Sequence, residues 1–534
     1  MATTFGGFQI VQSALNAMQE AVDVAGQNVA NATTPGYAEE RAVLTSQPGV
    51  IQVGLGGPIA DGTVGVGVNV SEVQQVSESF LNAQVRSAQS NVSYQGQSVQ
   101  FLEDAQGLYN EPGPNGLAAS MQTFFTDLSN LAASPESSAA RAVVGQDAAT
   151  VASHLNSLAA GLSQLSGAVQ NDLSVQVGQV NKTLTEIASL NQQIQNAQIQ
   201  GTQPNTLIDQ RSQLLGALSQ AMGITVGSDS AGNLTVTDAA TGVLLVDGQQ
   251  AGQLATAGSV TNGAGSATAS AWQVVEAGLA AGGAGSAPAP ALADIMTGRI
   301  GADLTLLGST TYAAGATPPS SFGALAPSAN TAAYGQSLRG QLDQVASALA
   351  TAVNNLQMPT ASGAAPAYYL NASGSPVSTA PSASQPTGVP FFIDSAATTQ
   401  TVPPSGITAQ TIAVNPAILQ SPYEIAAAQS ANANDGSNAQ AMADLGQATS
   451  PGAAVPLYNS QVSGLGTVVQ AAQSDQTTAQ SLLTQAQTMQ QSVSGVSINT
   501  EVANIAQYQD VYTAASKALV AMQTMLQSLL AAVS

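Results

Sequence analysis

Two apolar seams, one near each end of the chain, constrain its fold more than anything between them. Phe8, Val11, Leu15, Met18, Val22, Ala25 and Val29 recur at alternating spacings of three and four. That is the pattern of a helix whose apolar stripe lies in the grooves of other helices. Thr34 precedes Pro35, and Gly36 can take a left-handed turn, so the helix is predicted to stop before them. At about 1.5 Å per residue it spans roughly 30 Å, with nothing near it in sequence to cover the stripe. Ile498, Val502, Ile505, Tyr512, Ala515, Leu519, Met522, Leu526, Leu529 and Val533 make a second seam of the same period, with Gln509 its polar member. Two uncovered stripes at opposite ends are most simply paired with each other. The pair could close an ordinary globule or pack further on neighbouring copies.

At 534 residues the chain has room for several domains. It carries 30 acidic and 8 basic residues, a formal net charge of -22, yet charged residues are only 7% of the total. Its polar surface is therefore mostly Ser, Thr, Asn and Gln. The few Lys and Arg are scattered, which excludes a nucleic-acid partner and disfavours an anionic membrane surface. There is no cysteine, hence no disulfide framework or thiolate chemistry. No run approaches about 18 apolar residues, so no membrane insertion is expected. With no Lys or Arg before Arg41, the N-terminus does not read as a conventional secretory signal.

Residues 39–70 read as an extended connector with a short strand at Val66, Val68 and Val70. Helical periodicity then returns from Val76 to Asn110, from Gly116 to Ser134, and along a very long stretch from Glu136 past Ile194. The stripe of this long helix slips by one residue between Val169 and Leu173, which argues for a packed helix over a strict two-stranded coiled coil. A further helix spans Thr206 to Met222. After Gly223 the period changes to two, in ITV, NLTVTD and VLLVDG separated by turn residues, which predicts short antiparallel strands. Residues 251–330 are a low-complexity tract of small residues, with a helix expected around Leu292 to Leu307. Helices at Leu338 to Val353 and Leu457 to Gln491 precede the C-terminal seam, with strands at FFID and IAVN between them.

Catalytic chemistry is hard to find. His154 is the sole histidine, and no sequence signal gives it a nucleophile or an orienting acid. Asn432-Ala-Asn434-Asp435-Gly436 lacks the alternating carboxylates and closing glutamate of a calcium loop, so a turn is expected. Lys517 reads as solvating the polar face of its helix. Met522 and Met525 read as apolar contacts, in the core or at an interface. No cofactor, metal or enzymatic activity is expected.

Several stretches carry a resemblance. Asn28-Val-Ala-Asn31-Ala-Thr-Thr-Pro35-Gly36-Tyr37 and the run from Ser492 resemble the two ends of the bacterial flagellar axial proteins. GLAASMQTFFTDLSNLAASPESSAARAVV from Gly116, IASLNQQIQ from Ile187, PNTLIDQRSQLLGALSQAMGITV from Pro204, LDQVASALATAVNN from Leu342 and SPYEIAAAQSANANDGSNAQAM from Ser421 are similar to the hook–filament junction branch of that family. The likeness covers Phe8 to Gly248 and Leu338 to Ser534 and fails over 251–330. It implies a mainly α, elongated multi-domain protein with a β-rich outer part. Residues 1–42 and 492–534 would form a terminal coiled coil, 43–222 and 331–491 a helical rod, and 223–330 an inserted β domain. It further implies a structural role at the joint between hook and filament, with a hook or rod protein as the alternative and a secreted hydrolase or adhesin as the alternative of another class. Implied partners are further copies of the chain in a helical ring, the hook protein, a second junction protein or flagellin, and an export chaperone. The implied location is the extracellular flagellum, reached without a cleaved signal peptide. Candidate subunit-interface residues are Leu15, Met18, Val22, Val29, Asn31, Pro35, Tyr37, Tyr512, Leu519, Met522, Leu526 and Leu529.

Overall fold

A computed structural model describes residues 2–34, 37–47, 67–229, 232–240, 242–257, 273–277, 297–307, 334–359, 367–370, 375–378, 389–397, 406–447, 449 and 453–533. Helix α1 (Ala2–Asn31) leads into strands β1 (Glu40–Gln47) and β2 (Gly67–Gln75), which pair antiparallel with a bulge between Val43 and Leu44. Strand β1 and the length of β2 were not expected, since only Val66 to Val70 alternates clearly. Val66, Pro35 and Gly36 lie outside the described residues.

The rod is built from α2 (Ser79–Tyr109), α3 (Leu117–Ala133), α4 (Ser138–Ile199), α5 (Asn205–Ala221) and, after the inserted part, α6 (Gly298–Leu307) and α7 (Tyr334–Gln357). Short α8 (Pro416–Gln420) and α9 (Ser437–Asp444) follow, then α10 (Ala454–Ser494) and α11 (Ile498–Val533). Helix α4 runs unbroken for 62 residues, about 90 Å at the standard rise. Ser137 caps it by accepting the Ala140 N–H at 3.2 Å. The slip in its stripe shows as a change of neighbours. Residues before Leu162 face α3, α7 and strand β12 (Ile412–Val414), and those after Val169 face α5, α6 and the sheet. Helices α2 and α10 run antiparallel, joined at Asn82–Gln490, Glu103–Gln473 and Tyr109–Gln461.

The four-stranded sheet has the order β3-β4-β5-β6, from β3 (Ile224–Ser228), β4 (Leu234–Asp238), β5 (Leu244–Asp247) and β6 (Gln250–Ala251). Three antiparallel pairs complete the strands: β7 (Gln253–Ala257) with β8 (Gln273–Ala277), β9 (Tyr368–Leu370) with β10 (Pro376–Ser378), and β11 (Phe392–Asp394) with β12. Helix α6, expected in the outer part, packs inside the rod against α2, α4, α5 and α7, with only Arg299 exposed.

One continuous apolar core runs through the rod, from Phe101 through Phe124, Leu155, Leu184, Leu304 and Leu342 to Val469. Each such side chain contributes about 1.5–3 kcal/mol by leaving water. Phe124 meets Phe391 and Phe392 at centroid distances of 6.0 and 6.2 Å in edge-on geometry. With so few charges, the polar scaffold is made of amides. Asn181 on α4 grips Leu254 through both backbone groups, at 2.7 and 2.8 Å. Asn354 on α7 takes the N–H groups of Phe391 and Phe392 and donates to the Phe392 carbonyl. Gln357 accepts from Ala426 N and donates to the Glu424 carbonyl. Each amide pairs backbone groups that would otherwise be buried without partners. Arg141, 1% exposed, does the same with a cation, donating to the carbonyls of Pro135 at 2.8 Å and Ile425 at 2.6 Å.

Candidate assembly interface

Helices α1 and α11 form an antiparallel pair. Met522 packs over Gly7 at one end, and Glu39 N–H donates to the Ser494 carbonyl at 3.0 Å at the other. Helix α1 is covered on two sides. Val11, Met18 and Ala25 are buried on the expected seam, and Ala17, Ala21 and Val24 are buried as well, since the β1–β2 hairpin also packs on this helix. Leu15, Val22 and Val29 are half-buried. The buried residues of the pair lie outside the continuous rod core.

The motif closing α1 works as a clamp. Asn28 is fully buried, donates to the Glu40 carbonyl at 2.7 Å, and accepts from Glu40 N–H and the Tyr37 hydroxyl at 2.9 Å each. Asn31 donates to the Gln27 carbonyl, and its own carbonyl accepts Thr34 N–H, so it stops the helix. Burial, with Glu40, Asp209 and Glu501 nearby, pushes the Tyr37 phenol up and keeps it a neutral donor. The rod reaches the same joint: Asn205 and Asp209 at the start of α5 hold Val73 and Gln75 of β2. Burial and the Glu40 charge push the Asp209 carboxyl up to about 6, against the Gln75 hydrogen bond. The clamp thus ties α1, the hairpin, α5 and the end of α10 into one joint.

The seam of α11 is split, which corrects the single-face reading. Ile505, Ala515, Leu519, Met522 and Leu526 are partly buried on the side of α1. Ile498, Val502 and Tyr512 turn outward, at 49%, 54% and 41% exposure. Val511, Val520 and Met525 are exposed too, so the two methionines separate, one under α1 and one in solvent. The side chain of Leu529 lies outside the described residues. Val511 and Val520 were missed because they fall off the heptad; the available signal was that α11 is apolar on more than one face.

Other candidates resolve without a reaction. Ser120 Oγ lies 2.8 Å from His154 Nδ1, which supplies the serine that sequence did not find. The same hydroxyl also lies 2.9 Å from the Gly116 carbonyl, to which it can donate, and the direction of its bond to His154 follows the imidazole tautomer. The Asp435 carboxylate is saturated by the chain itself, accepting from Gln429 N, Ser430 Oγ and Ser437 N. Those hydrogen bonds hold it down at about 2 despite some burial, so the segment is a turn. Among the described residues no cluster of three His, Cys, Asp or Glu could hold a metal, and no helix is long and apolar enough to cross a membrane.

The family described as "Flagellar hook-associated protein FlgK helical domain" matches residues 102–361, across the rod, and "Flagella basal body rod protein" matches 8–37, the clamp. Over residues 102–361 the chain belongs to the flagellar hook-associated protein family. Relatives include flagellar hook-associated protein 1 of Bacillus subtilis, 30% identical over 43% of this chain and 46% of that one. The protein of the same name from Escherichia coli is 32% identical over 46% of this chain and 43% of that one. The chain thus matches less than half the length of these relatives. The flagellar hook junction protein FlgK from Burkholderia pseudomallei has a similar fold, with a TM-score of 0.54 over 77% of this chain and all of that one, at 19% identity.

Proposed function

We propose that the chain is a structural component of the bacterial flagellum that joins hook to filament, with its terminal helices packing on neighbouring copies. One observation carries this reading. Helix α11 is already covered by α1 along Leu519, Met522 and Leu526, yet presents a second, uncovered apolar row at Ile498, Val502 and Val520. Leu15, Met18, Val22, Val29, Leu519, Met522 and Leu526 then hold the pair together, Asn31 and Tyr37 set its exit, and Tyr512 with the outer row meets the next copy. A repeated contact of this kind is head-to-tail and propagates as a helix. The hook protein, and a second junction protein or flagellin, would bound the ring on its two sides. The chain would be exported by the flagellar route, with a chaperone covering the outer row beforehand.

The test is the double change Val502→Asp with Val520→Asp. Both side chains are exposed in the single chain, so its thermal midpoint should hold, while a buried unpaired carboxylate at a subunit contact costs several kcal/mol. Cells should shed filaments and lose motility, whereas Lys517→Gln should swim normally. Normal swimming by the double variant would sink the proposal.

A further inference from the structure

Helix α6 is ten residues long and, apart from Arg299, buried on all sides in the rod. It nevertheless carries a carboxylate, Asp303, with 0% exposure. Asp303 Oδ1 accepts from Gln97 Nε2 of α2 at 2.7 Å, and Oδ2 accepts from Gln176 Nε2 of α4 at 2.9 Å. The same two amides reach the carboxylate of Asp172 on α4, at 3.3 and 2.7 Å. Asp172 acts on Asp303 both by its charge and as a direct side-chain partner. One cation serves both carboxyls: Arg299 contacts Asp172 Oδ2 at 3.0 and 3.2 Å.

The two glutamine amides donate to both carboxyls, and neither can supply the missing charge. With both carboxyls ionised the cluster holds two negative charges against one positive. With one hydrogen between them it is neutral, and the protonated carboxyl becomes a donor to the other. Every element packed on α6 bears on this count. Helix α2 presents Gln97 and the Tyr94 hydroxyl, which lies 3.4 Å from Thr305, and α4 presents Asp172 and Gln176. Among the described residues, α5 and α7 place no charge that acts on Asp303.

We infer that α6 is seated by a proton, with Asp172 and Asp303 sharing one hydrogen across the α4–α6 contact. The helix is therefore held firmly in mildly acid surroundings and loosened in alkaline ones. This makes α6 a latch between the rod and the inserted part that precedes it in sequence. Burial first, then Asp172, raises the Asp303 carboxyl to about 7 against Gln97 and Arg299, in agreement with the geometry. The sign follows: the folded state holds a proton that the unfolded chain releases near pH ~4, so seating weakens as pH rises from there to about 7 and is level above it. The inference is independent of the role proposed for α11, because it concerns one chain before any assembly.

The experiment is amide exchange on the full chain over a pH series, corrected for intrinsic rates. Opening of residues 298–307 should rise by up to about tenfold per pH unit between about pH 5 and 7 and then level off, while residues 151–162 of α4 should show a shallower rise. Asp303→Asn, which matches the protonated acid in shape and charge, should abolish the rise. Asp172→Asn should end it at a lower pH, and decides alone against the unchanged chain if Asp303→Asn does not fold. A pH-independent opening in the unchanged chain, or an undiminished rise in Asp303→Asn, overturns the inference.

Discussion

Asn28 shows how much one side chain can hold. Its three hydrogen bonds are all to groups beyond the helix it sits on, at Tyr37 and both backbone groups of Glu40. Asn28→Leu should cost about 2–4 kcal/mol in a urea titration, because the Glu40 backbone groups remain buried without partners. Tyr37→Phe removes one neutral bond and should cost about 1 kcal/mol. Asn28→Asp keeps the size but loses the donor and faces Glu40, with Asp209 and Glu501 close to Tyr37, so its deficit should shrink as pH is lowered. The motif around Asn28 was legible in sequence as a helix end. Its role as a clamp was not, because its partners are backbone groups of a strand that no pattern announced. Arg141 was equally silent: a lone arginine in a long helix gives no sign that carbonyls some 280 residues away will take it up.

Elements were more legible than contacts. Every helix expected from periodicity is present, because amphipathic repeats survive without knowledge of the partner; of the helix expected around Leu292 to Leu307, residues 292–296 lie outside the described residues and α6 begins at Gly298. The period does not say which element covers a stripe. Thus α6 was expected in the outer part and sits in the rod, and α11 was given one apolar face and has more. The seat of α6 depends on Gly298, whose φ is +72° and whose added Cβ would lie 2.6 Å from the backbone at Ala221 and Met222. Gly298→Ala should lower stability by at least about 2 kcal/mol, and amide exchange should locate the loss in α6. The terminal pair lies outside the rod core, and most of α11 is exposed or half-buried. Amides of residues 498–526 in an isolated chain should therefore exchange far faster than those of 151–194. Equal protection would mean that the pair is stable without neighbours.

For the molecule as a whole, titration runs in one dominant direction. Asp147 at about 6, beside Asp127, joins Asp209 at about 6 and Asp303 at about 7; burial leads in raising all three. Each favours the folded state when protonated, and that advantage declines as pH climbs from ~4 to the raised value. Asp435, at about 2, adds stability above ~4 that is lost as pH falls through 2. The urea midpoint should therefore peak near pH ~4–5 and be lower at pH ~8. With a net charge of -22, adding salt to about 0.15 M should narrow that gap by screening repulsion among exposed carboxylates. Helix α4 has a mechanical consequence. As an unbroken hydrogen-bonded cylinder, it fixes the angular phase of everything packed along it. One residue inserted at Gly167, where an added Cβ meets nothing within 4 Å, would turn the far half by about 100° and misdirect Leu173, Val177 and Leu184 together. An insertion of seven residues would restore the phase to within about 20° while lengthening the strut. A twist applied at one end of α4 therefore reaches the other with no hinge to absorb it.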